Sequence, residues 1–259
     1  MSIGRTLRRA AGSLLNRARV LLRRCQTWRR RRTPWMREIR ACQQIIAECD
    51  PHPQYLTTYR RGEVYFWLPI PGWLHEDART RKIERALDIG CGYGTLALFA
   101  KRTLGCEVYC ADCTDTYISK SLIAGHKLNF AVSNIEVEWP PWPGPFDAIL
   151  LTEVLEHFNF NPVPTLEKIR KLFAPGGRLY LSTPDAEAWG KVTRYVARWQ
   201  DLPKAPDTPP GEFIDDHVYQ YARDELLEVV TSAGFRVVRL DTSPGLPKRH
   251  LVATLEAAS

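Results

Sequence analysis

Two carboxylates and two histidines are the residues whose types and spacing can do chemistry. Glu153, Glu156 and His157 stand at positions i, i+3 and i+4, so a helical turn would place all three side chains on one face. His217 opens a second polar segment, HVYQYARDEL. Carboxylate and imidazole groups bind divalent metal ions, and they also take or give protons near neutral pH. The sequence therefore predicts a metal site or an acid–base site, with His157, Glu156 and His217 as candidate catalytic residues.

A glycine-rich turn is the second informative feature. Residues 86–94 read ALDIGCGYG, an apolar strand that runs into glycines at positions 90, 92 and 94. Glycine adopts positive φ and lets a ligand approach the backbone without a Cβ in the way. Thr95 stands where the dinucleotide fingerprint Gly-x-Gly-x-x-Gly has its third glycine, and this disfavours a nicotinamide oxidoreductase. A nucleotide-like ligand of another class is therefore predicted at the tip of a parallel sheet.

An acidic residue follows at the distance that a βαβ unit requires. Asp112 ends the apolar segment CEVYCAD, eighteen positions after Gly94. A carboxylate accepts hydrogen bonds from both vicinal hydroxyls of a ribose at once. Asp112 is therefore predicted to bind the sugar of the ligand.

Three later segments complete a pattern that resembles a known family. They read FDAILLTEVLEHF over residues 146–158, LFAPGGRLYLSTPD over 172–185 and DELLEVVTSAGFRVVRL over 224–240. Together with ALDIGCGYG and Asp112, they resemble the motifs of the class I S-adenosylmethionine (SAM) dependent methyltransferases in order and spacing. The resemblance covers residues 83–255, and its E-x-x-E-H part is similar to that of the ubiquinone-biosynthesis O-methyltransferases.

The resemblance implies that the cofactor is SAM and that the reaction is methyl transfer, to an oxygen of a small molecule, a lipid-linked intermediate or a glycan. The chemistry then consists mainly of aligning an acceptor behind the methyl group and removing the acceptor's proton. The positions that match the cofactor motifs are Asp88, Gly90, Cys91, Gly92, Gly94, Asp112, Cys113, Thr152 and Glu153.

The resemblance is compatible both with a metal site and with a metal-free site. The set Glu153, Glu156, His157 and His217 is similar to the metal site of the small-RNA 3′-terminal 2′-O-methyltransferases, which implies Mg²⁺ or Mn²⁺. Many relatives carry E-x-L-E-H without a metal, and His157 is then a structural residue or a general base. A metal-dependent RNA 2′-O-methyltransferase and a non-catalytic scaffold with the SAM fold are the alternative functions.

Composition indicates one sizeable domain with appendages. The chain has 259 residues, of which 44% are hydrophobic, and it has no run of 18 apolar residues. Seven scattered cysteines without a secretory signal predict a reducing compartment, with the cytoplasm as the default. Cys106, Cys110 and Cys113 have the spacing of an iron–sulfur site, but a strand would hold the first two roughly 13 Å apart. These cysteines are therefore interpreted as strand packing, with Cys113 beside the adenine.

The first 37 residues carry most of the positive charge. They contain twelve arginines and no acid, whereas the remaining residues have a net charge of −5. Apolar residues recur at helical spacing among the arginines, which predicts a basic amphipathic helix. Attachment to an anionic membrane surface, docking on protein, contact with nucleic acid and a removable transit sequence all remain open.

The sequence thus predicts a doubly wound α/β fold with a mostly parallel seven-stranded Rossmann-like sheet and an antiparallel terminal strand. Three regions are expected: a basic extension over residues 1–37, a helical and aromatic cap over 38–82, and the methyltransferase domain over 83–259. The cap stretch EVYFWLPIPGWL is expected either to line the acceptor pocket or to pack against the sheet.

Overall fold

The computed structural model describes residues 34–194, 196–205, 216–243 and 248–258. All but the last four positions of the predicted basic extension lie outside the described residues. Among the helices of the described ranges, none is long and apolar enough to cross a membrane.

A seven-stranded sheet forms the centre of the molecule, in the order β3-β2-β1-β4-β5-β7-β6. The five strands β3, β2, β1, β4 and β5 pair in parallel, and β7 pairs antiparallel with both β5 and β6. This confirms the predicted sheet and its antiparallel terminal strand. The strands are β1 (Arg85–Ile89), β2 (Glu107–Asp112), β3 (Asn129–Val132), β4 (Phe146–Thr152), β5 (Phe173–Pro184), β6 (Phe235–Thr242) and β7 (His250–Ala257).

Helices cover both faces of the sheet, so the central strands are buried on both sides. Residues 148–151 of β4, for example, are all buried, as expected for a parallel strand between two helical layers. Helices α1, α2, α3 and α4 contribute to the core on one face, and α5 and α7 contribute to the core on the other. The helices are α1 (Pro34–Glu48), α2 (Ile70–Asp77), α3 (Thr95–Leu104), α4 (Lys120–His126), α5 (Pro162–Arg170), α6 (Ala186–Trp189) and α7 (Arg223–Ser232).

The segment that precedes β1 belongs to the first of these layers. Helix α1 begins at Pro34 and runs through the predicted boundary at residue 37. A π-helical turn, Tyr55–Tyr59, a single α-helical turn, Arg60–Gly62, and a 3₁₀ turn, Glu63–Tyr65, lie between it and α2. Within EVYFWLPIPGWL the side chains of Trp67 and Ile70 are buried in the same core as α3. The structure therefore favours packing over pocket lining for this stretch, and the domain boundaries at residues 37 and 82 remain predictions.

A buried carboxylate on α2 forms ion pairs with two strands of the sheet, β5 and β6. Asp77 is 2% exposed, and its Oδ1 lies 2.6 Å from Nη1 of Arg178 on β5 and 2.9 Å from Nη2 of Arg239 on β6. The hydroxyl of Tyr180 donates to Asp77 Oδ2 at 2.5 Å. One carboxylate thereby bridges two guanidinium groups and connects α2 with β5 and β6.

We expect Asp77→Ala to lower the free energy of unfolding by about 3–5 kcal/mol, because it removes the buried carboxylate that two partly buried guanidinium groups share and leaves the Tyr180 hydroxyl without its acceptor. Urea denaturation measures this. The matched control is Glu76→Ala, since Glu76 is exposed and lies 3.7 Å from the same Arg239. The control is expected to cost about 1 kcal/mol or less, and equal losses for both variants would contradict the anchoring role of Asp77.

Candidate active site

A cavity of about 280 Å³ opens at the carboxyl ends of the parallel strands. Its walls come from the loops that follow β1, β2, β3 and β4 and from the turn before residue 60. The crossover after β1 leads to β2 and the crossover after β4 leads to β5, on opposite sides, so the strand order reverses between β1 and β4. Ligands of open α/β sheets bind at such a switch point.

The glycine loop forms the floor of this cavity. Gly90, Gly92 and Gly94 have φ values of +69°, +50° and +79°, in the left-handed region that favours glycine. A Cβ on Gly90 would lie 2.2 Å from Cγ2 of Val154, so the β4 loop approaches too closely for any other residue. A Cβ on Gly92 would meet no atom within 4 Å, and Gly92 lines the cavity. A side chain at position 92 would therefore extend into the cavity.

Asp112 lies where the sequence places it, at the end of β2 and on the cavity wall. Its Oδ2 accepts a hydrogen bond from the backbone N–H of Gly92 at 2.9 Å, and its Oδ1 accepts from Thr114 N at 3.3 Å. The carboxylate thus fixes the glycine loop from beside the cavity. Among the other predicted cofactor residues Cys113, Thr152 and Glu153 also line the cavity.

Three predicted cofactor residues, Asp88, Cys91 and Gly94, are not part of the cavity wall. Gly94 is the N-cap of α3, and the Cys91 side chain is buried in the core beside that helix. Asp88 is 2% exposed on β1, and its Oδ1 has no hydrogen-bond partner. Burial, reinforced by the negative charge of Asp112, raises the pKa of Asp88 to about 8.

The loop after β3 supplies cavity residues that the motif analysis missed. Ser133 Oγ is buried without a hydrogen-bond partner, and Ser133, Asn134 and Glu136 all line the cavity. Glu136 accepts hydrogen bonds from the backbone N–H groups of Asn159 and Phe160, each at 2.9 Å. The available signal was positional, because these residues follow a parallel strand at its carboxyl end.

Three tyrosines complete the wall opposite the sheet. Tyr59 comes from the π-helical turn, Tyr93 from the glycine loop and Tyr117 from the segment before α4. The ring centroids of Tyr59 and Tyr93 are 4.7 Å apart, and those of Tyr93 and Tyr117 are 5.5 Å apart. These separations are typical of packed aromatic pairs. The cavity therefore has a polar side at the strand ends and an aromatic side at the cap.

The predicted helical turn over Glu153–His157 is wrong. Glu153 has φ of +57°, and only residues Leu155–His157 form a short 3₁₀ turn. The reason is that the backbone N–H of Glu153 stays bonded to Ser182 O of the neighbouring strand, at 2.9 Å, so the chain turns sharply before it can coil. Glu153 is not part of the cluster that the other three predicted metal ligands form.

Glu153 instead pairs with His250, which the sequence analysis did not single out. Its Oε1 accepts from Ser182 Oγ at 2.7 Å, and its Oε2 lies 2.8 Å from Nδ1 of His250. The His250 ring lies between Phe66 and Trp189, with centroid distances of 4.9 and 5.3 Å. Burial raises the pKa of Glu153 to about 8 and lowers that of His250 to about 4.

The other three predicted ligands do come together. Glu156, His157 and His217 each offer one ligand atom, and these atoms lie within 4.8 Å of one another. Glu156 is fully buried, its Oε2 accepts from Thr183 Oγ1 at 2.9 Å, and its Oε1 has no hydrogen-bond partner. Burial raises the pKa of Glu156 to about 8.

Backbone contacts bring His217 to this position. The N–H groups of Val218 and Tyr219 both donate to the carbonyl of Glu156, at 2.7 and 3.2 Å. The side-chain amide of Gln220 lies 2.7 Å from His217 Nδ1, which leaves Nε2 of that ring available. Of the three residues, His157 lines the cavity, whereas Glu156 and His217 lie behind it.

The raised pKa of Asp88 predicts a pH effect on stability. Between the ordinary value of 3.8 and about 8 the folded state holds a proton that the unfolded chain has released, so the free energy of unfolding falls as pH rises. We expect Asp88→Asn to flatten this fall by roughly 1.4 kcal/mol for each pH unit in that window. Urea denaturation from about pH 5 to pH 8 tests this, with Asp224→Asn on the exposed surface of α7 as the control. Parallel curves for parent and Asp88→Asn would contradict the assignment.

Comparison with known proteins agrees with this architecture. Residues 30–240 match the protein family described as Methyltransferase domain. The ubiquinone biosynthesis O-methyltransferase of Xanthomonas euvesicatoria pv. vesicatoria (strain 85-10) is 35% identical over 129 residues, which cover 46% of this chain and 52% of that protein. The protein of the same name from Xylella fastidiosa (strain M23) is 35% identical over 103 residues, or 38% and 41% of the two chains. The chain thus matches about half the length of these curated relatives.

Solved structures show the same fold at low identity. The 1,6-didemethyltoxoflavin-N1-methyltransferase of Burkholderia thailandensis has a TM-score of 0.53 at 21% identity, covering 73% of this chain and 76% of its own. A SAM-dependent methyltransferase from Clostridium acetobutylicum ATCC 824 has a TM-score of 0.52 at 10% identity, covering 73% and 90%. Because the family match extends over most of the sequence, the chain belongs to the methyltransferase-domain family and has the class I fold of SAM-dependent methyltransferases.

Proposed function

We propose that the chain transfers the methyl group of SAM to an oxygen atom of a small molecule. The observation that carries the proposal is that one cavity joins the glycine loop and Asp112 to the polar side chains of Glu153 and His157. Family membership and the O-methyltransferase names of the partial relatives support it.

The residues of the cavity fit the cofactor. Gly92 leaves open space above the loop, Asp112 offers a carboxylate at the end of β2, and Ser133 Oγ is a buried hydroxyl without a partner. Asp112 would hold the ribose hydroxyls, and Ser133 and Asn134 would bind the base. SAM supplies a methyl group already activated by its sulfonium charge, so the protein must position an acceptor and accept its proton.

The acceptor side of the cavity favours a small molecule with an apolar or aromatic body. Tyr59, Tyr93 and Phe158 provide ring faces and edges at its wall. Glu153 and His157 provide the nearby polar groups, and burial raises the pKa of Glu153, so its carboxyl group is the less suitable proton acceptor near neutral pH. His157 is therefore proposed as the residue that receives the proton of the acceptor hydroxyl in the absence of a metal.

We further propose that Glu156, His157 and His217 bind a divalent metal ion. The unpartnered Oε1 of fully buried Glu156 supports a cation at this point, since an unsatisfied buried oxygen is costly. Without Glu153 the set has two imidazoles and one carboxylate, which suits Mn²⁺ or another transition metal better than Mg²⁺. A bound ion would act as a Lewis acid toward the acceptor oxygen.

Cofactor binding is tested first. We expect Asp112→Ala to weaken SAM binding by roughly 1.5–3 kcal/mol through the loss of charged hydrogen bonds, and Gly92→Val to abolish it by filling the cavity. Isothermal titration calorimetry measures both. Gly105→Val is the matched control, because Gly105 also has positive φ and open space around its Cβ position but lies outside the cavity. Unchanged SAM affinity in both test variants would remove the cofactor assignment.

Metal dependence is tested separately. We expect a chelator to abolish methyl transfer without abolishing SAM binding, and Mn²⁺ to restore activity better than Mg²⁺. Mn²⁺ binding followed by electron paramagnetic resonance is expected to be lost in His217→Ala, which removes one of the three ligands. His250→Asn, outside the ligand set, is expected to keep it. Full activity of metal-free protein would contradict the metal site and leave His157 as the general base.

A further inference from the structure

A second concave surface lies on the segment that precedes β1. It is a groove of about 470 Å³ between α1 and the turns that follow, and none of its lining residues lines the cofactor cavity. We call it the cap groove; its main lining residues are Met36, Arg40, Leu56, Arg60, Arg61 and Leu68.

The floor of the cap groove is apolar and its rim is basic. Met36 and Leu68 are 2% and 1% exposed, and they form the floor. Leu56 stands at the rim with 48% of its surface exposed, which is unusual for a leucine in this protein. Arg40 follows Met36 by four positions on α1, and Arg60 follows Leu56 by four, so each helical segment presents an apolar and a cationic side chain on one face.

The positive charge of the groove is not neutralised within the described part of the chain. No carboxylate lines the groove, and neither Arg40 nor Arg61 forms an ion pair with a described residue. Arg60 donates only to a neutral partner, Oε1 of Gln44, at 2.8 Å. Glu63 lies close by but is buried at 2% exposure, and its carboxyl group accepts from Gln43 and Tyr55.

We propose that the cap groove binds the headgroup of an anionic phospholipid. The guanidinium groups match a phosphate, and the leucine and methionine side chains match the first acyl carbons that follow it. A nucleic-acid strand calls for cations in a row along its backbone, whereas these arginines surround an apolar floor. In the sequence, α1 is preceded by residues 1–33, which contain eleven arginines and no acid.

The proposed lipid site adjoins the cofactor cavity through one helical turn. Within the π-helical turn Tyr55–Tyr59, Tyr59 lines the cavity while Leu56 lines the cap groove. π-Helical turns are rare in proteins, and those that occur are often found at functional sites. A phospholipid in the groove would therefore bring the membrane surface next to the aromatic wall of the cavity, where an apolar acceptor could enter from the bilayer.

The test uses the full chain and dihexanoylphosphatidylglycerol below its micelle concentration, with binding measured by calorimetry. We expect the triple variant R40Q/R60Q/R61Q to bind this lipid at least about tenfold more weakly than the parent, because the phosphate loses its charged partners. Leu56→Asp, at an exposed position, is expected to have a similar effect without disturbing the fold. Unchanged SAM affinity and circular dichroism show that each variant is folded.

The control is R79Q/K120Q/R223Q, which removes the same charge from exposed positions outside the groove. It is expected to bind the lipid within about twofold of the parent. Dihexanoylphosphatidylcholine is expected to bind weakly or not at all, since its headgroup has no net charge. An equal loss in groove and control variants would overturn the proposal in favour of non-specific attraction. Equal affinity for glycerol 3-phosphate would overturn the lipid assignment and leave a simple anion site.

Discussion

The reversal of strand order between the parallel strands β1 and β4 is the constraint on which the rest of the site depends. The loops that leave these two strands separate to opposite faces of the sheet, so a cleft opens where the strands end. The cleft can form only if the loops approach each other closely at its base. Gly90 permits that approach, because the Val154 side chain occupies the space that a Cβ would need. The contact between Gly90 and Val154 therefore links the cavity floor to the sharp turn at Glu153.

Burial of polar groups at this edge explains the unusual chemistry of the site. Burial removes Glu153, Glu156 and His250 from water, and the pKa of each shifts toward favouring the neutral form for that reason. A purely structural role would favour apolar residues here, since buried polar groups stabilise a fold only when they are fully satisfied. Glu156 Oε1 and Ser133 Oγ have no hydrogen-bond partner within the described part of the protein, so a bound ligand or metal ion would have to supply one.

The sequence predicted the sheet, the glycine loop and Asp112 because these depend on local pattern: apolar strands, alternating glycines and a fixed βα spacing. The orientation of Glu153 could not be predicted, since an i, i+3, i+4 spacing has meaning only on a helix and Glu153 has positive φ. His250 was missed although a signal existed. An antiparallel strand next to a parallel one begins where its neighbour ends, and His250, paired with Pro184, begins β7 at the edge where the cavity lies.

The segment before β1 supplies a wall of the cavity that the sheet and its loops do not provide. The proposed methyl transfer requires that water be kept from the reacting atoms while an acceptor still gains entry. The Tyr59 ring packs against Tyr93 at the cavity wall and contributes to the exclusion of water. The same turn carries Leu56, which lines the cap groove, and Tyr55, which is buried in the core. One short turn anchored by Tyr55 therefore lies between the cavity and the cap groove, so the proposed acceptor entry and the proposed lipid site depend on the same residues.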